Sequence, residues 1–122
     1  MHLVPADRAD RRVIDEDRVC AAIRFLDPAT VQDWSQRFAL LSDPTRLSLL
    51  LCISAAGPIS VTDLAVAVDQ NPDTVSQTLR LLRAHRTVTT QRDGRVIRYQ
   101  IADPTIDQLL GLAGAPARTR SD

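Results

Sequence analysis

The chain has 122 residues, of which 44% are hydrophobic and 25% charged, and its formal net charge is zero. This composition is typical of a globular chain rather than a disordered one, and the length predicts one domain with a modest core. An aromatic content of 3% argues against a single-strand nucleic-acid binder, which needs several aromatic side chains for base stacking.

Neither a secretion signal nor a membrane span is expected. The start, MHLVPADR, lacks an apolar stretch, and the longest apolar run, residues 49–53, is far too short to cross a bilayer. The sequence therefore predicts a cytoplasmic protein without a membrane partner. Cys20 and Cys52 are not expected to form a structural disulfide in that reducing compartment.

Apolar spacing predicts two helices in the N-terminal third. The first covers residues 13–26 and ends before Pro28, because the residue that precedes a proline resists the helical conformation. Thr30 is the predicted cap of the second helix, which continues to residue 41. Four apolar side chains lie on it at helical spacing: Val31, Trp34, Phe38 and Leu41. Trp34 and Phe38 are expected to pack internally or across a dimer.

Two further helices follow, each with a recognisable start. Asp43 and Pro44 supply the cap and the first residue of the third helix, which Gly57 helps to end. Ser60 caps a short fourth helix that reaches residue 68, and a turn comes after it.

The fifth predicted helix, residues 71–86, has the pattern of a DNA-reading element. Asn71 is its cap and Pro72 fits the first helical position. An aliphatic seam of Val75, Thr78, Leu79 and Leu82 lies on one face. The other sides carry polar groups, arginines and one alanine: Asp73, Thr74, Ser76, Gln77, Arg80, Arg83 and Ala84. Such a surface suits a helix lying in a DNA major groove.

After the fifth helix, the spacing of the apolar residues changes from a helical to a strand pattern. Residues 87–90 and 96–101 are β-branched and alternating, with Asp93 and Gly94 at the tip between them, which predicts a hairpin. Its expected core-facing side chains are Ile97, Tyr99 and Ile101, and its arginines are Arg92, Arg95 and Arg98. Residues 71–101 contain six arginines and two aspartates, so this segment has a local net charge of +4, which suits a nucleic-acid partner.

The predicted fold is mainly α with a small β-hairpin (α+β), a winged helix-turn-helix. Asp103 and Pro104 begin one last short helix. The predicted organisation is an N-terminal arm and helix (1–29), the winged domain (30–112) and a disordered tail (113–122).

Four stretches resemble motifs of the ArsR/SmtB family of metal-responsive repressors. Residues 38–47 (FALLSDPTRL) resemble its ALADPTRL opening, and residues 59–65 (ISVTDLA) resemble its CVxDLA helix. Residues 74–83 (TVSQTLRLLR) resemble its VSHHLxxLR recognition helix, and residues 94–99 (GRVIRY) its GRxxxY wing. The resemblance implies a homodimer, formed through the first and last helices, that binds an operator and represses until a ligand weakens the DNA complex.

The departures concern the metal sites of that family. Ser60 stands where the resemblance expects a thiolate. On the last helix Asp103 matches the first acidic ligand, but Thr105 stands where a histidine is expected. A zinc or nickel site of that kind is therefore not expected, and His2 and His85 lie in no ligand pattern.

Cys20 and Cys52 remain as candidate ligands. Some members of the family pair an N-terminal thiol with one near the helix-turn-helix to sense arsenite or a soft metal ion such as cadmium or zinc, and thiolates are suitable donors for such ions. A trigonal site needs three ligands and one chain supplies two thiolates. A thiol of a second subunit or an outside ligand would have to be the third ligand. Thiol redox sensing and a purely structural role for the cysteines are the alternatives.

The leading hypothesis is a dimeric repressor that reads an inverted repeat in double-stranded DNA. The expected DNA contacts are Thr74, Ser76, Gln77, Arg80, Arg83, Arg92, Arg95 and Arg98. A constitutive or redox-responsive winged-helix regulator without a metal site is the first alternative, and a winged helix that grips an acidic protein is the second. An enzyme is not expected, because no nucleophile–base pair, glycine-rich phosphate loop or catalytic metal cluster occurs in the sequence.

Overall fold

The computed structural model describes residues 4–8 and 11–114. Contacts divide the chain into an N-terminal unit, Met1–Gln36, and a winged unit, Arg37–Asp122. The described elements are a 3₁₀ turn Ala6–Arg8, α1 Glu16–Arg24, α2 Pro28–Leu41, α3 Pro44–Ala56, β1 Ile59–Ser60, α4 Val61–Val68, α5 Pro72–Ala84, β2 Val88–Asp93, β3 Val96–Ile101 and α6 Pro104–Leu112. The predicted order of helices and hairpin is confirmed, and β1 is an addition to it.

Helix α2 begins three residues earlier than the sequence suggested. The Asp27 carboxylate accepts hydrogen bonds from the Thr30 hydroxyl at 2.7 Å and from the Thr30 N–H at 3.2 Å. Asp27 is therefore the cap, and the prediction of Thr30 as the cap was wrong because proline at the first helical position makes its predecessor the cap. Both hydrogen bonds lower the pKa of the Asp27 carboxyl, and the bond from the Thr30 hydroxyl has the larger effect.

An Asp–Pro or Asn–Pro pair begins four of the described helices. The side chains of Asp43, Asn71 and Asp103 accept backbone N–H groups in the first turns of α3, α5 and α6, as Asp27 does for α2. Each carboxylate or amide oxygen satisfies a donor that the helix itself cannot, while proline fills a position whose N–H has no helical partner. These local signals determine where each helix starts.

Arg46 fixes the corner between α2 and α3. Its guanidinium donates to the carbonyl oxygens of Ala39, at 2.8 Å, and Leu40, at 3.0 Å, which satisfies acceptors that the end of α2 leaves open. Its backbone N–H donates to Asp43 at 2.9 Å. Among the described residues no single helix is long and apolar enough to span a membrane, and the pair α2 and α3, which passes together by length and composition, is bent by 93°.

The core of the winged unit is aliphatic and draws on α3, α4, α5, β2 and α6. Its members are Leu49, Leu50, Ile53, Leu64, Ala65, Val75, Leu79, Leu82, Val88, Ile106 and Leu110. Burial of these apolar surfaces is the main force that holds the recognition elements together.

The sheet has three antiparallel strands in the order β1-β3-β2. β1 pairs Ile59 with Tyr99 and Ser60 with Arg98. The predicted inward orientation of Ile97 was wrong, since its side chain is 47% exposed. Ile97 lies nearer the hairpin tip than the part of β3 that β1 covers, so no third strand shields it.

Helix α6 is fastened to α3 by a polar contact, because the Ser54 hydroxyl donates to the Asp107 carboxylate at 2.9 Å. The helix ends at Leu112. Most of the predicted tail, from residue 115 onward, lies outside the described residues.

Candidate nucleic-acid interface

Helix α5 has one buried and one exposed side. Val75, Leu79 and Leu82 have no accessible surface. The polar residues between them point elsewhere: Thr74, Gln77, Arg80 and Arg83 are exposed, and Ser76 is half-buried. The aliphatic seam thus anchors α5 to the core and turns its predicted DNA-reading face outward.

The start of α5 is held firmly. The Asn71 side chain accepts the N–H of Asp73 at 2.7 Å, and Pro72 occupies the first position. The preceding turn closes α4 through Asp69, whose φ is +54°, and the N–H of Gln70 donates to the Ala65 carbonyl at 3.0 Å. A left-handed residue with this pairing is a common way to end a helix. Both ends of the turn between α4 and α5 are therefore fixed by hydrogen bonds.

The wing is a hairpin with a two-residue loop, since Asp93 pairs with Val96. Gly94 takes the first loop position with φ of +64°, which a two-residue hairpin loop requires and which glycine adopts without steric cost. Arg95 is the second loop residue and is exposed. The apex of the wing therefore presents an arginine.

Two of the wing arginines contact their own hairpin. Arg92 donates through Nε to the Gly94 carbonyl at 3.0 Å, and Arg98 donates through Nη1 to the Asp93 carboxylate. The second contact follows from the hairpin register, which makes Arg98 a diagonal neighbour of Asp93. Among the described residues Arg95 makes no such contact, so its charge is the most available of the three.

An open cleft of about 540 Å³ separates the start of α4 from the wing. Residues 60–63 line one side of it, and residues 95–98 line the other. The cleft brings the α4 N-terminus, which carries partial positive charge, beside Arg95 and Arg98. The start of α4 and the wing thus lie on the two sides of one cleft, which Asp63 lines together with the two arginines.

Comparison with known proteins agrees with this geometry. A family model described as HVO_A0114 matches residues 41–101. The cadmium resistance transcriptional regulatory protein CadC homolog of Staphylococcus aureus is 29% identical over 85% of this chain and 86% of its own length. The HTH-type transcriptional regulator NmtR of Mycobacterium tuberculosis is 36% identical over 70% of each chain. The crystal structure of the AntR antimony-specific transcriptional repressor is similar with a TM-score of 0.68 and 30% identity, covering 91% of this chain and 89% of that one.

The chain belongs to the ArsR/SmtB family. It is a winged-helix, DNA-binding transcriptional regulator, as the sequence predicted. The prediction that it is not an enzyme is also confirmed, because these relatives are transcriptional regulators.

The positions that resemble metal ligands of the ArsR/SmtB family have structural roles in this member. The Ser60 hydroxyl caps α4 by accepting the N–H of Asp63 at 3.2 Å. The Asp103 carboxylate accepts the N–H of Thr105 at 2.9 Å and pairs with the Arg37 guanidinium at 3.3 Å. Within residues 4–8 and 11–114, no group of three or more His, Cys, Asp or Glu side chains is placed to hold a metal ion. These residues do not fit the metal sites of the family.

The two cysteines are free thiols in different units. Cys20 is a buried residue of α1 in the N-terminal unit. Cys52 lies on α3 in the winged unit, is half-buried and packs against the core. Packing of this kind suits a small apolar core residue as well as it suits a ligand.

Proposed function

We propose that this regulator binds an inverted-repeat operator as a homodimer and represses transcription there. One α5 helix from each protomer enters a major groove, and the two grooves are about one helical turn apart. The observation that carries the proposal is the division of α5: full burial of Val75, Leu79 and Leu82 leaves its polar and basic side exposed and available to DNA.

Different residues have different tasks in this proposal. Ser76 and Gln77 read base edges near the start of α5, and Thr74 contacts a thymine methyl group. Arg80 binds guanine or phosphate, and Arg83 adds charge to one flank. Arg92, Arg95 and Arg98 contact phosphates, which position the protein without specifying sequence. We rank Arg95 first of the three, because Arg98 already pairs with Asp93.

The proposed dimer is supported by apolar side chains at the surface. On α2, Val31 is 50% exposed, Trp34 36% and Phe38 56%, while Leu112 at the end of α6 is 87% exposed. Exposed apolar surface of this kind is typical of protein–protein contacts. The family resemblance likewise implies dimer formation through the first and last helices. We place the dimer in the cytoplasm, where it would meet DNA.

Arg95→Ala tests the phosphate role of the wing. We expect it to weaken binding to operator and random duplexes alike, because a phosphate contact carries no sequence information. The slope of log K against log salt concentration is expected to flatten by about 0.9 for each chain, as one counterion fewer is released. Fluorescence anisotropy of a labelled duplex across a salt series measures both quantities.

Arg12→Ala is the matched control, because it removes the same charge from an exposed residue of the N-terminal unit. Its salt slope should equal that of the wild type. An equal flattening by both variants would show a general effect of net charge and would contradict a wing contact. A wild-type protein that binds no duplex at low salt would instead favour an acidic protein partner for the wing.

We further propose that a soft ion, arsenite or a metal ion such as cadmium or zinc, is bound by Cys20 and Cys52 and releases the DNA. Two relatives are named for cadmium and antimony, which are soft ions. Thiolates are the donors that such ions prefer, and both cysteines of this chain are free. Since one chain supplies two thiols, a thiol of the partner subunit or an outside ligand has to complete a three-ligand site.

Titration of the reduced protein with arsenite or Cd(II) tests this effector. We expect wild-type protein to gain absorbance in the thiolate charge-transfer region, and Cys20→Ser and Cys52→Ser each to lose most of that gain. A wild type without any response would exclude the soft-ion proposal and favour a constitutive or redox-responsive regulator. A response that survives both substitutions would exclude the cysteines as ligands.

A further inference from the structure

Arg86 holds a backbone conformation that is unusual for its residue type. Its φ is +60°, and Asp69 is the other non-glycine residue with positive φ in the described part of the chain. Aspartate is one of the types enriched in this region, because its short side chain can hydrogen-bond locally. Arginine has no such compensation, so the conformation costs free energy that glycine would save.

The conformation follows from the way α5 ends. After the C-cap His85, the N–H of Arg86 donates to the Arg83 carbonyl and the N–H of Thr87 donates to the Leu82 carbonyl, both at 2.9 Å. This closing pair requires a left-handed residue at the position of Arg86, where glycine is the usual choice. The next two residues, Thr87 and Val88, are each 2% exposed, so the backbone beside Arg86 is held by buried neighbours.

Folding makes little use of the Arg86 side chain. It is exposed, and the described residues provide it with no hydrogen bond or ion pair. A positive charge at the C-terminus of α5 favours the helix dipole, but Arg83 already supplies one in the last turn, and the effect is small at an exposed site. Stability therefore does not explain an arginine where glycine would fit better.

The position of Arg86 suggests another use for its charge. It directly follows the C-cap residue of α5, three residues beyond Arg83 and six beyond Arg80, and these two exposed arginines are among the proposed DNA contacts. We infer that Arg86 is a further phosphate-contact residue, whose guanidinium binds the DNA backbone at the expense of a strained helix end. This inference rests on the proposed DNA-binding role of α5 and the wing.

Arg86→Gly separates the effect of Arg86 on stability from its effect on DNA binding. We expect it to raise the urea midpoint of unfolding, because the left-handed strain disappears, and to weaken binding to a mixed-sequence 30-base-pair duplex. The slope of log K against log salt concentration should flatten by about 0.9 for each chain. If wild type and variant bind equally at 1 M salt, this change lowers the binding constant at 0.1 M salt by about eightfold for each chain. Because the variant is expected to be the more stable protein, weaker binding cannot be ascribed to unfolding.

Two further variants serve as controls. Arg86→Lys keeps the charge and the strain, so its salt slope should equal that of wild type and its urea midpoint should not rise. Asp69→Gly changes a left-handed residue at the end of α4, where aspartate is already tolerated, so its urea midpoint should rise by less than that of Arg86→Gly and its salt slope should not flatten.

Arg86→Gly with an unchanged salt slope, or with a lower urea midpoint, would overturn the inference. If wild-type protein binds the duplex and Arg95→Ala flattens its slope while Arg86→Gly does not, the inference alone fails. If wild-type protein binds no duplex, the proposed function fails and the inference fails with it.

Discussion

Leu79→Ala is expected to lower the free energy of unfolding by about 3 kcal/mol, within the range of 2–5 kcal/mol for truncation of a buried leucine. The Leu79 side chain is fully buried and lies in the core cluster of the winged unit. Truncation removes apolar contacts and leaves a cavity that the neighbouring side chains fill only in part. Urea denaturation followed by circular dichroism measures the change.

Leu81 provides the matched control on the same helix. Its side chain is 41% exposed, so Leu81→Ala removes the same atoms from a position that is not in the core cluster. We expect a loss below about 1 kcal/mol, because little surface is buried there and alanine favours helix formation. Equal losses at the two positions would contradict the orientation of α5 on which the proposed DNA-reading face depends.

Gln77→Ala is expected to reduce preference for the operator by about 1–3 kcal/mol, or about 5- to 150-fold, because one base-edge contact is lost. The exposed position of Gln77 in the first half of α5 supports this role. The measurement is the ratio of affinities for a duplex selected by the wild-type protein and for a random duplex of equal length.

Arg95→Ala is the contrast for this experiment, since a phosphate contact should lower both affinities and leave their ratio unchanged. The assignment of Gln77 as a base reader would be wrong if its alanine variant lost affinity equally for both duplexes. It would also be wrong if Gln77→Ala flattened the salt slope as Arg95→Ala does.

Local signals made most of the fold predictable. A cap residue followed by proline marks the start of a helix, as at Asp43 and Asn71. The cap side chain and the proline ring both act within the first turn, so the signal is local. The same rule should have favoured Asp27 over Thr30, since Pro28 marks the residue before it as the cap. That error came from reading Pro28 only as the end of the preceding helix.

Features that depend on distant pairing were harder to predict. Strand β1 has two residues, too few for a period, and it exists because β3 offers it partners. The exposure of Ile97 follows from where that pairing stops. The conformation of Arg86 was likewise hidden, because arginine carries none of the usual sequence signal of a left-handed helix end.

The candidate DNA-contact residues came from the helical wheel and from the charge of residues 71–101, both of which are local properties. Sequence could not show how the wing arginines are used. The pairing of Arg98 with Asp93 depends on hairpin register, and the availability of Arg95 depends on its place in the loop. Spacing along the chain likewise does not give the distance between the two thiols, because Cys20 and Cys52 lie on different helices.

Ser60 links the wing to the first turn of α4. Its backbone pairs with Arg98 of the wing, while its hydroxyl holds the first turn of α4. We therefore expect a displacement of α4 to move the hairpin with it. Release of the operator in the proposed repressor would then involve α4 and the wing together, rather than the wing alone.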